Sequence, residues 1–312
     1  MRKLSGTRAK LSQLATEQSN PASADLDRKS SLEISRIINT EDAKVAAAVK
    51  RALPQIAEAI DLIADSLRKG GRLIYVGTGT SGRIAALDAA ECPPTFNADP
   101  KSVQFIIAGG PKALGAAVEA NEDSATLGES EIAKRKPGKN DVVVGIAASG
   151  RTPFTIAAVR YSRRKGAKTI AVVCNPYSEL EKAAEIGIVV ETGPEVISGS
   201  TRMKAGTAQK MVLNMLSSGA MTRLGHVYGN LMVNVRPKNE KLALRAVTIL
   251  ERASNIPHEK AKKALQASGG SVPAALVMLQ TGVSSSKAEK ALESVRGNVR
   301  QAIAHAQRDS GE

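Results

Sequence analysis

The sequence predicts an α/β fold: a five-stranded parallel sheet flanked by helices, followed by a small all-helical domain. Two observations carry this prediction. Between residues 72 and 191, short and almost wholly apolar runs alternate with amphipathic segments, which is typical of parallel strands covered by helices on both faces. Beyond residue 240 these runs give way to an internal repeat of helical character.

The segment before the sheet is predicted to be a polar arm followed by helical structure. Residues 1–43 are largely polar, and they lack the apolar stretch of a signal peptide. In residues 41–71 apolar residues recur every three or four positions, which indicates a helix that ends at Gly70 and Gly71. Pro54 is expected to kink this helix or to divide it in two.

Five strands and four intervening helices are predicted in the sheet region. The strands are RLIYV (72–76), SVQFIIA (102–108), DVVVGIAA (141–148), AKTIAVVC (167–174) and IGIVVE (186–191). The helices are RIAALDAA (83–90), SATLGESEIAKRK (124–136), TPFTIAAVRYSRRKG (152–166) and SELEKAA (178–184). Ligands of open parallel sheets bind beyond the carboxyl ends of the strands, so the loops there are the candidate site.

A long helix and a second domain are predicted after the sheet. The helix follows a hydroxyl-rich turn, SGSTRMKAG at 198–206. Farther on, AKKALQASGGSVPAALV from Ala261 matches AEKALESVRGNVRQAIA from Ala288, and each copy is typical of two short helices joined at a glycine. We therefore divide the chain into an arm (1–43), an α/β domain (44–239) and a small helical domain (240–312).

The loop after the first strand has the letter pattern of a dinucleotide-binding turn, but its chemistry favours a phosphate monoester. GTGTSGRIAALDAAE at 77–91 contains G-x-G-x-x-G directly after a strand. A dinucleotide fold places a carboxylate at the end of its second strand, and here that strand runs into IIAGGPK. The loop instead offers Thr78, Thr80 and Ser81 at a helix N-terminus, where hydroxyls and backbone N–H groups suit a phosphate.

Two further clusters of hydroxyl-bearing residues lie in other predicted loops. Ser149 and Thr152 follow the third strand, and Ser198, Ser200 and Thr201 precede the long helix. The alternative for any one of them is simple helix capping, which uses the same geometry. Three such clusters at strand ends favour a sugar-phosphate site over both capping and a nicotinamide site.

Carboxylates are the candidate acid–base groups. Glu91 precedes Cys92-Pro93-Pro94, which is predicted to stop the helix and so to place the carboxylate at the negative end of the helix dipole. EANEDS at 119–124 contributes Glu122, and Ser124 is a predicted N-cap. Asp88, Glu119 and Asp123 are assigned to solvation or capping. His, Cys and Asp show no metal-ligand spacing, so we expect acid–base chemistry without a metal or redox cofactor.

Bulk composition excludes several other classes of protein. The net charge of +14 invites a nucleic-acid interpretation, but three Phe, four Tyr and no Trp provide no stacking platform, so a solvated basic surface is favoured. No apolar run reaches the roughly 18–20 residues that span a bilayer. Two cysteines form no disulfide framework, which favours a reducing cytoplasm.

Several long motifs resemble those of the N-acetylmuramic acid 6-phosphate etherase family, which has the sugar isomerase (SIS) fold. The resemblance runs in order from about Thr16 to Leu242, and the helical repeat is similar to the family's small C-terminal (UBA-like) domain. The matching segments are TEQSNPASADLDRKSSLEISRIINTED, YVGTGTSGRIAALDAAECPPTF, AGG, EANEDS, GIAASGRTPFT, CNP, SGSTRMKAGTAQKMVLNMLS and GHVYGNLMVNVRPKNEKL.

The resemblance implies a cytoplasmic, cofactor-independent homodimer that removes D-lactate from N-acetylmuramic acid 6-phosphate. By resemblance Glu91 is the proton donor and Glu122 the base, and the arm contributes to the dimer. Thr78, Ser81, Ser149 and Thr152 are assigned to the phosphate. Thr80 belongs to the same loop; Ser198, Ser200 and Thr201 are expected to close the pocket. Lys204 or Arg202 is the candidate partner of the lactyl carboxylate. No nucleic acid or membrane partner is expected.

Two competing interpretations remain open. A non-catalytic SIS regulator would bind a sugar phosphate and a protein partner, and the mammalian glucokinase regulator is similar in fold and motifs. An aldose–ketose isomerase would share the phosphate loops and the acid–base requirement. The presence of Glu91 and Glu122 on one short SIS unit favours the etherase over the regulator, and CPPTF with SGSTRMKAG favours it over the isomerase.

Overall fold

The structure is a computed structural model that describes residues 14–118, 121–235 and 240–308. Its chain forms two compact units. The first comprises residues 1–89 and 101–217, and the second comprises residues 90–100 and 218–312.

The first unit begins with three short 3-10 turns and two helices. The turns are Ala15–Glu17, Pro21–Ser23 and Leu26–Arg28, and the helices are α1 (Ser31–Arg51) and α2 (Leu53–Arg68). Pro54 lies in the first turn of α2, so the predicted division at this proline is confirmed. Helix α1 begins ten residues before the predicted helix because Ser30 and Glu33 form a capping box.

Five parallel strands form the sheet, as predicted. They are β1 (Leu73–Gly77), β2 (Val103–Ile107), β3 (Val142–Ile146), β4 (Lys168–Val173) and β5 (Ile186–Val189). Their order is β2-β1-β3-β4-β5. Strands β1 and β3 are buried along their whole length, as the continuous apolar runs required.

Helices connect and follow the strands. They are α3 (Gly79–Phe96), α4 (Lys112–Gly115), α5 (Ala125–Ala133), α6 (Pro153–Arg164), α7 (Glu179–Ala183) and α8 (Lys204–Arg223). Part of the core lies between sheet and helices, where Ile74 and Val143 pack with Ile132 and Phe154.

Helix α3 corrects one sequence prediction. Cys92-Pro93-Pro94 was expected to stop the helix, but α3 continues through both prolines to Phe96. The side chains of Cys92 and Phe96 are buried one turn apart, and we attribute the extra turn to this packing, which offsets the two hydrogen bonds that the prolines cannot donate. Glu91 therefore lies more than one turn before the helix end, and the dipole argument does not apply to it.

The second unit is dominated by five helices built around the predicted repeat. They are α9 (Glu240–Ser254), α10 (His258–Ala267), α11 (Val272–Thr281), α12 (Ser285–Ser294) and α13 (Val299–Arg308). Gly270 and Gly297, equivalent in the two copies, both have φ of +83°. The unit begins before the predicted boundary at 240 because Val233 and Val235 are buried in the same apolar cluster as these helices.

Candidate active site

Two of the hydroxyl-bearing loops leave the sheet side by side. Gly77, the last residue of β1, is paired with Ile146, the last residue of β3. The chain turns to opposite sides of the sheet after these two strands, because β1 is followed by β2 and β3 by β4. This switch point is where open α/β sheets bind ligands. The first-loop residues 77–82 and second-loop residues 147–153 therefore form the candidate phosphate site.

The glycines of the first loop are required by close packing. A Cβ atom at Gly77 would lie 2.9 Å from the backbone nitrogen of Gly82, and one at Gly82 would lie 2.5 Å from the side chain of Ile107. Gly79, at the start of α3, has φ of +49°. The G-x-G-x-x-G pattern thus serves a tight strand–helix turn, a need that does not depend on a dinucleotide.

Glu122 is held against the first loop and the start of α6. The hydroxyl of Thr78 donates a hydrogen bond to Glu122 Oε2 at 3.1 Å, and the backbone N–H of Phe154 donates to the Glu122 carbonyl at 3.1 Å. A hydroxyl has one proton to donate, so in this structure Thr78 orients a carboxylate. The sequence assigned Thr78 to the phosphate and did not foresee this contact between residues 44 positions apart.

Ser81 is held by a residue that sequence analysis missed. Its hydroxyl donates to Gln209 Oε1 at 3.0 Å, and both side chains are buried. Among the described residues Gln209 Nε2 has no hydrogen-bond partner. The available signal was the position of Gln209 on the apolar face of α8, between the buried residues Ala205 and Val212.

The remaining hydroxyls of these loops are open to a ligand. Thr152 is the N-cap of α6, yet its side chain makes no capping hydrogen bond. Ser149 accepts a hydrogen bond from the Arg151 N–H at 3.3 Å, which leaves its own proton free to donate. Thr80 is half-buried in the first turn of α3. Capping therefore does not account for Thr152, whereas the predicted cap Ser124 does accept the N–H of Leu127.

The third hydroxyl cluster is arranged differently. The Ser198 hydroxyl lies 3.2 Å from the carbonyl oxygen of Gln18, so it ties the loop to the N-terminal arm. Ser200 and Thr201 are half-buried. The start of α8 lies against the first loop, because a Cβ atom at Gly206 would lie 3.5 Å from the Thr80 methyl group.

Lys204 does not present its charge to a ligand. Its ammonium group is 2.7 Å from Glu41 Oε2, and the two side chains are 2% and 4% exposed. Burial acts to raise the pKa of Glu41, but hydrogen bonds from Lys204 and Lys44 outweigh it and lower the pKa to about 2. The prediction that Lys204 meets a substrate carboxylate is therefore replaced by a structural role, while Arg202 is exposed.

Glu195 fills the N-terminus of α8. Its two carboxylate oxygens each accept a backbone N–H, from Lys204 and from Ala205, at 2.9 Å. Burial raises the pKa of Glu195, although these hydrogen bonds act in the opposite direction. The anion position of this helix is thus taken by the protein itself.

Glu91 lies in the second unit and is exposed to a cavity of that unit. The cavity has a volume of about 760 Å³, within the range of small-molecule sites. Its lining includes Glu91, Asp99, Asn234 and Arg245. An exposed carboxylate in a cavity of this size can exchange a proton with a bound ligand.

A histidine supports the wall of this cavity. His226 Nδ1 is 3.0 Å from the Phe96 carbonyl oxygen and 2.7 Å from the side-chain amide nitrogen of Asn234. Burial lowers the pKa of His226, against the opposing effect of the Phe96 carbonyl. The tautomer of the imidazole decides whether Nδ1 donates to the Phe96 carbonyl or accepts from the Asn234 amide.

The predicted solvation or capping role agrees with the structure for only some of the other acidic residues. Asp88 was assigned to solvation or capping, but it is buried and accepts hydrogen bonds from the hydroxyls of Tyr75 (2.8 Å) and Ser217 (3.0 Å). Burial raises its pKa to about 6, although these two hydrogen bonds lower it. Asp123 is exposed, which agrees with solvation, and Glu119 lies outside the described residues.

Within the described ranges, no three His, Cys, Asp or Glu residues are grouped so that they could hold a metal ion. No helix there is long and apolar enough to cross a membrane. Cys92 and Cys174 are buried and not bonded to each other, as the sequence predicted.

Two family models match the chain. The model of the glucokinase regulatory protein N-terminal SIS domain matches residues 55–163, and the SIS domain model matches residues 135–218. The expected SIS fold is thereby confirmed.

Relatives named N-acetylmuramic acid 6-phosphate etherase match along most of their length. The relative from Symbiobacterium thermophilum is 56% identical over 88% of this chain and 91% of its own. The relative from Rhodopirellula baltica is 50% identical over 94% and 97%. The relative from Streptomyces avermitilis is 49% identical over 96% of each chain.

Proposed function

The chain belongs to the N-acetylmuramic acid 6-phosphate etherase family and is a carbon–oxygen lyase; from this premise we propose that it cleaves the D-lactyl ether at C3 of N-acetylmuramic acid 6-phosphate. The products are N-acetylglucosamine 6-phosphate and D-lactate. Similarity along nearly the whole chain supports the reaction, and the contact between Thr78 and Glu122 supports the assignment of the base.

The reaction needs an acid and a base because an unactivated ether resists hydrolysis. In the ring-opened sugar the C1 aldehyde acidifies the C2 proton. Glu122 removes that proton, the C2–C3 double bond forms, and the C3–O bond breaks while Glu91 protonates the departing lactate oxygen. Water then adds across the double bond. Glu91, now ionised, takes a proton from the water molecule while the oxygen of this water bonds to C3. Glu122 returns its proton to C2.

The two carboxylates must start in opposite protonation states. The Thr78 hydroxyl donates a hydrogen bond to Glu122 and so orients the carboxylate that is proposed as the base. Glu91 is exposed to a cavity in which a substrate carboxylate would be a close like charge. In the proposed mechanism Glu91 begins in its protonated form and donates that proton to the ether oxygen.

We assign the substrate phosphate to the open helix N-termini of the first and second loops. Ser149, Thr152 and Thr80 supply hydroxyls, Ser81 is held beside them by Gln209, and the N-terminus of α3 supplies the favourable dipole. Thr78 positions Glu122. Ser200 and Thr201 border this site and Ser198 anchors the arm beside it. The enzyme is proposed to act in the cytoplasm as a homodimer without a cofactor.

A non-catalytic sugar-phosphate sensor is the second candidate. The match of residues 55–163 to the glucokinase regulatory protein model favours it, because that match covers the first loop and Glu122. A sensor would bind the sugar phosphate and release no lactate.

The deciding experiment is incubation of the purified protein with N-acetylmuramic acid 6-phosphate and an assay for free D-lactate. We expect release by the wild type and a loss of at least about 100-fold in Glu91→Gln and Glu122→Gln, since general acid–base catalysis contributes about 10²–10⁴-fold. Asp123→Asn is the matched control, because this neighbouring carboxylate is exposed. Binding of sugar phosphate without lactate release by the wild type would favour the sensor.

A further inference from the structure

The cavity beside Glu91 contains one basic side chain. Of the residues that line it, Arg245 on α9 carries the positive charge, while Glu91 and Asp99 carry negative charge. All of these residues belong to the second unit. Beyond the proton of Glu91, this cavity has no assigned ligand.

Arg245 has no ion-pair partner in the part of the chain that the structure describes. Among the described residues no carboxylate forms an ion pair or hydrogen bond with it, although two carboxylates line the same cavity. Its side chain is exposed, and a guanidinium carries five N–H donors. A guanidinium left in this state is suited to bidentate binding of an external carboxylate.

The proposed reaction places such a carboxylate beside Glu91. The lactyl group carries its carboxylate on the carbon that bears the ether oxygen, so the two groups are separated by one carbon atom. A side chain that protonates this oxygen must therefore lie near the carboxylate. The lactate side of the substrate then occupies the Glu91 cavity, which must hold a negative charge next to Glu91 and Asp99.

We propose that Arg245 binds the carboxylate of the lactyl group and that the Glu91 cavity is the lactyl subsite. This inference rests on the proposed function. Lys204 is replaced in this role because its charge is already paired with Glu41, and Arg245 is preferred to Arg202 because Arg202 does not line the Glu91 cavity. Asn234, supported by His226, supplies an amide to the same subsite.

The apolar part of the lining fits the rest of the lactyl group. The methyl group of the lactyl substituent is apolar and is expected to pack against apolar side chains. The cavity lining includes four apolar residues: Pro93, Met232, Val235 and Leu242. A cation for the carboxylate and an apolar wall for the methyl together discriminate substrate from product. N-acetylglucosamine 6-phosphate lacks both groups and gains nothing from the subsite.

The test compares the two sugar phosphates on Arg245→Gln. Calorimetry is run with N-acetylmuramic acid 6-phosphate and with N-acetylglucosamine 6-phosphate, in a Glu91→Gln background that keeps the ether intact. We expect the muramic ligand to bind about 10- to 100-fold more weakly, the effect of losing hydrogen bonds to a charged group. Binding of the glucosamine ligand should stay within about twofold. Arg245→Lys keeps the positive charge but loses the planar guanidinium, so its affinity for the muramic ligand should lie between those of the parent and of Arg245→Gln.

Arg252→Gln is the matched control, since it removes the same charge from α9 at a residue outside the cavity lining. Equal binding by Arg245→Gln and its parent, or equal weakening of both ligands, would overturn the inference. A selective loss in Arg202→Gln in place of Arg245→Gln would also overturn it. If the wild type releases no lactate but Arg245→Gln still loses the muramic ligand selectively, the proposed reaction fails and the lactyl subsite stands.

Discussion

Three helices of the first unit begin beside hydroxyl-rich loops, but one start is closed and two are open. At α8 the carboxylate of Glu195 accepts the first backbone N–H groups, and Lys204 is buried against Glu41. At α3 and α6 no protein carboxylate takes that place among the described residues, and Thr152 makes no capping bond.

Helix starts with similar hydroxyl-rich sequences can therefore have different roles: one stabilises the fold, and the others are available for ligand binding. A helix N-terminus attracts an anion whether that anion is a side chain or a substrate. Where the chain supplies its own carboxylate, the site is already satisfied and the loop contributes to folding. Where it does not, hydroxyls such as that of Thr152 remain available for a phosphate, although at α6 the N–H of Phe154 already donates to the Glu122 carbonyl.

The largest expected effect is at the closed start. Lys204→Met leaves Glu41 buried without its buried partner, and breaking a buried ion pair costs about 3–5 kcal/mol. Denaturant unfolding measures the change in the free energy of unfolding. Lys44→Met is the control, because Lys44 contacts the same carboxylate from an exposed position and should cost at most about 1 kcal/mol. Equal losses in the free energy of unfolding for Lys204→Met and Lys44→Met would contradict the role of Lys204 as the buried structural partner of Glu41.

A second prediction compares two buried carboxylates with opposite pKa shifts. Asp88 has its pKa raised from 3.8 to about 6, so its contribution to stability is present below pH 3.8 and is lost as the pH rises through 6. Glu41, lowered to about 2, contributes stability above pH 4.5 that is lost as the pH falls through 2. Asp88→Asn should therefore remove a fall of about 3 kcal/mol between pH 4 and pH 6.

Unfolding curves at several pH values measure this difference. Asp123→Asn, which changes an exposed carboxylate, should keep the wild-type profile. An unchanged slope in Asp88→Asn would mean that Tyr75 and Ser217 fully compensate the burial of the carboxylate.

The smallest predicted change concerns single hydroxyls. Thr152→Val at the open start of α6 should reduce kcat/KM for the sugar phosphate by about 10- to 100-fold, through loss of one hydrogen bond to a charged group. Ser198→Ala should change it by less than about twofold, since that hydroxyl faces the carbonyl of Gln18. Steady-state assays of both variants suffice. A larger loss in Ser198→Ala would reverse the distinction between open and closed starts.

Local patterns were enough for most of the fold. Apolar runs predicted all five strands because a strand buried on both faces has no polar alternation. The division at Pro54 and the cap at Ser124 followed from chemistry that acts within four residues. Helix α3 was the exception, since burial of Cys92 and Phe96 outweighs the local effect of two prolines.

The candidate site was predictable only as an inventory of residues. The sequence identified the hydroxyl and carboxylate side chains. It could not show which group each hydroxyl donates to or which charge is paired, because the partners lie far along the chain. Thr78 meets Glu122, and Lys204 meets Glu41, 163 positions away. Gln209 lies within a quoted family motif but was assigned no role, and Arg245 became a candidate only through the cavity that it lines.

The sequence by itself determined the strands, the loops at their ends and the helical repeat, because hydrophobic periodicity and turn chemistry act between near neighbours. The tertiary structure decided which helix starts are filled by the protein, which hydroxyls remain open and which charges are buried. These depend on pairing between distant residues, and pairing fixes whether a polar group stabilises the fold or stays available to a ligand.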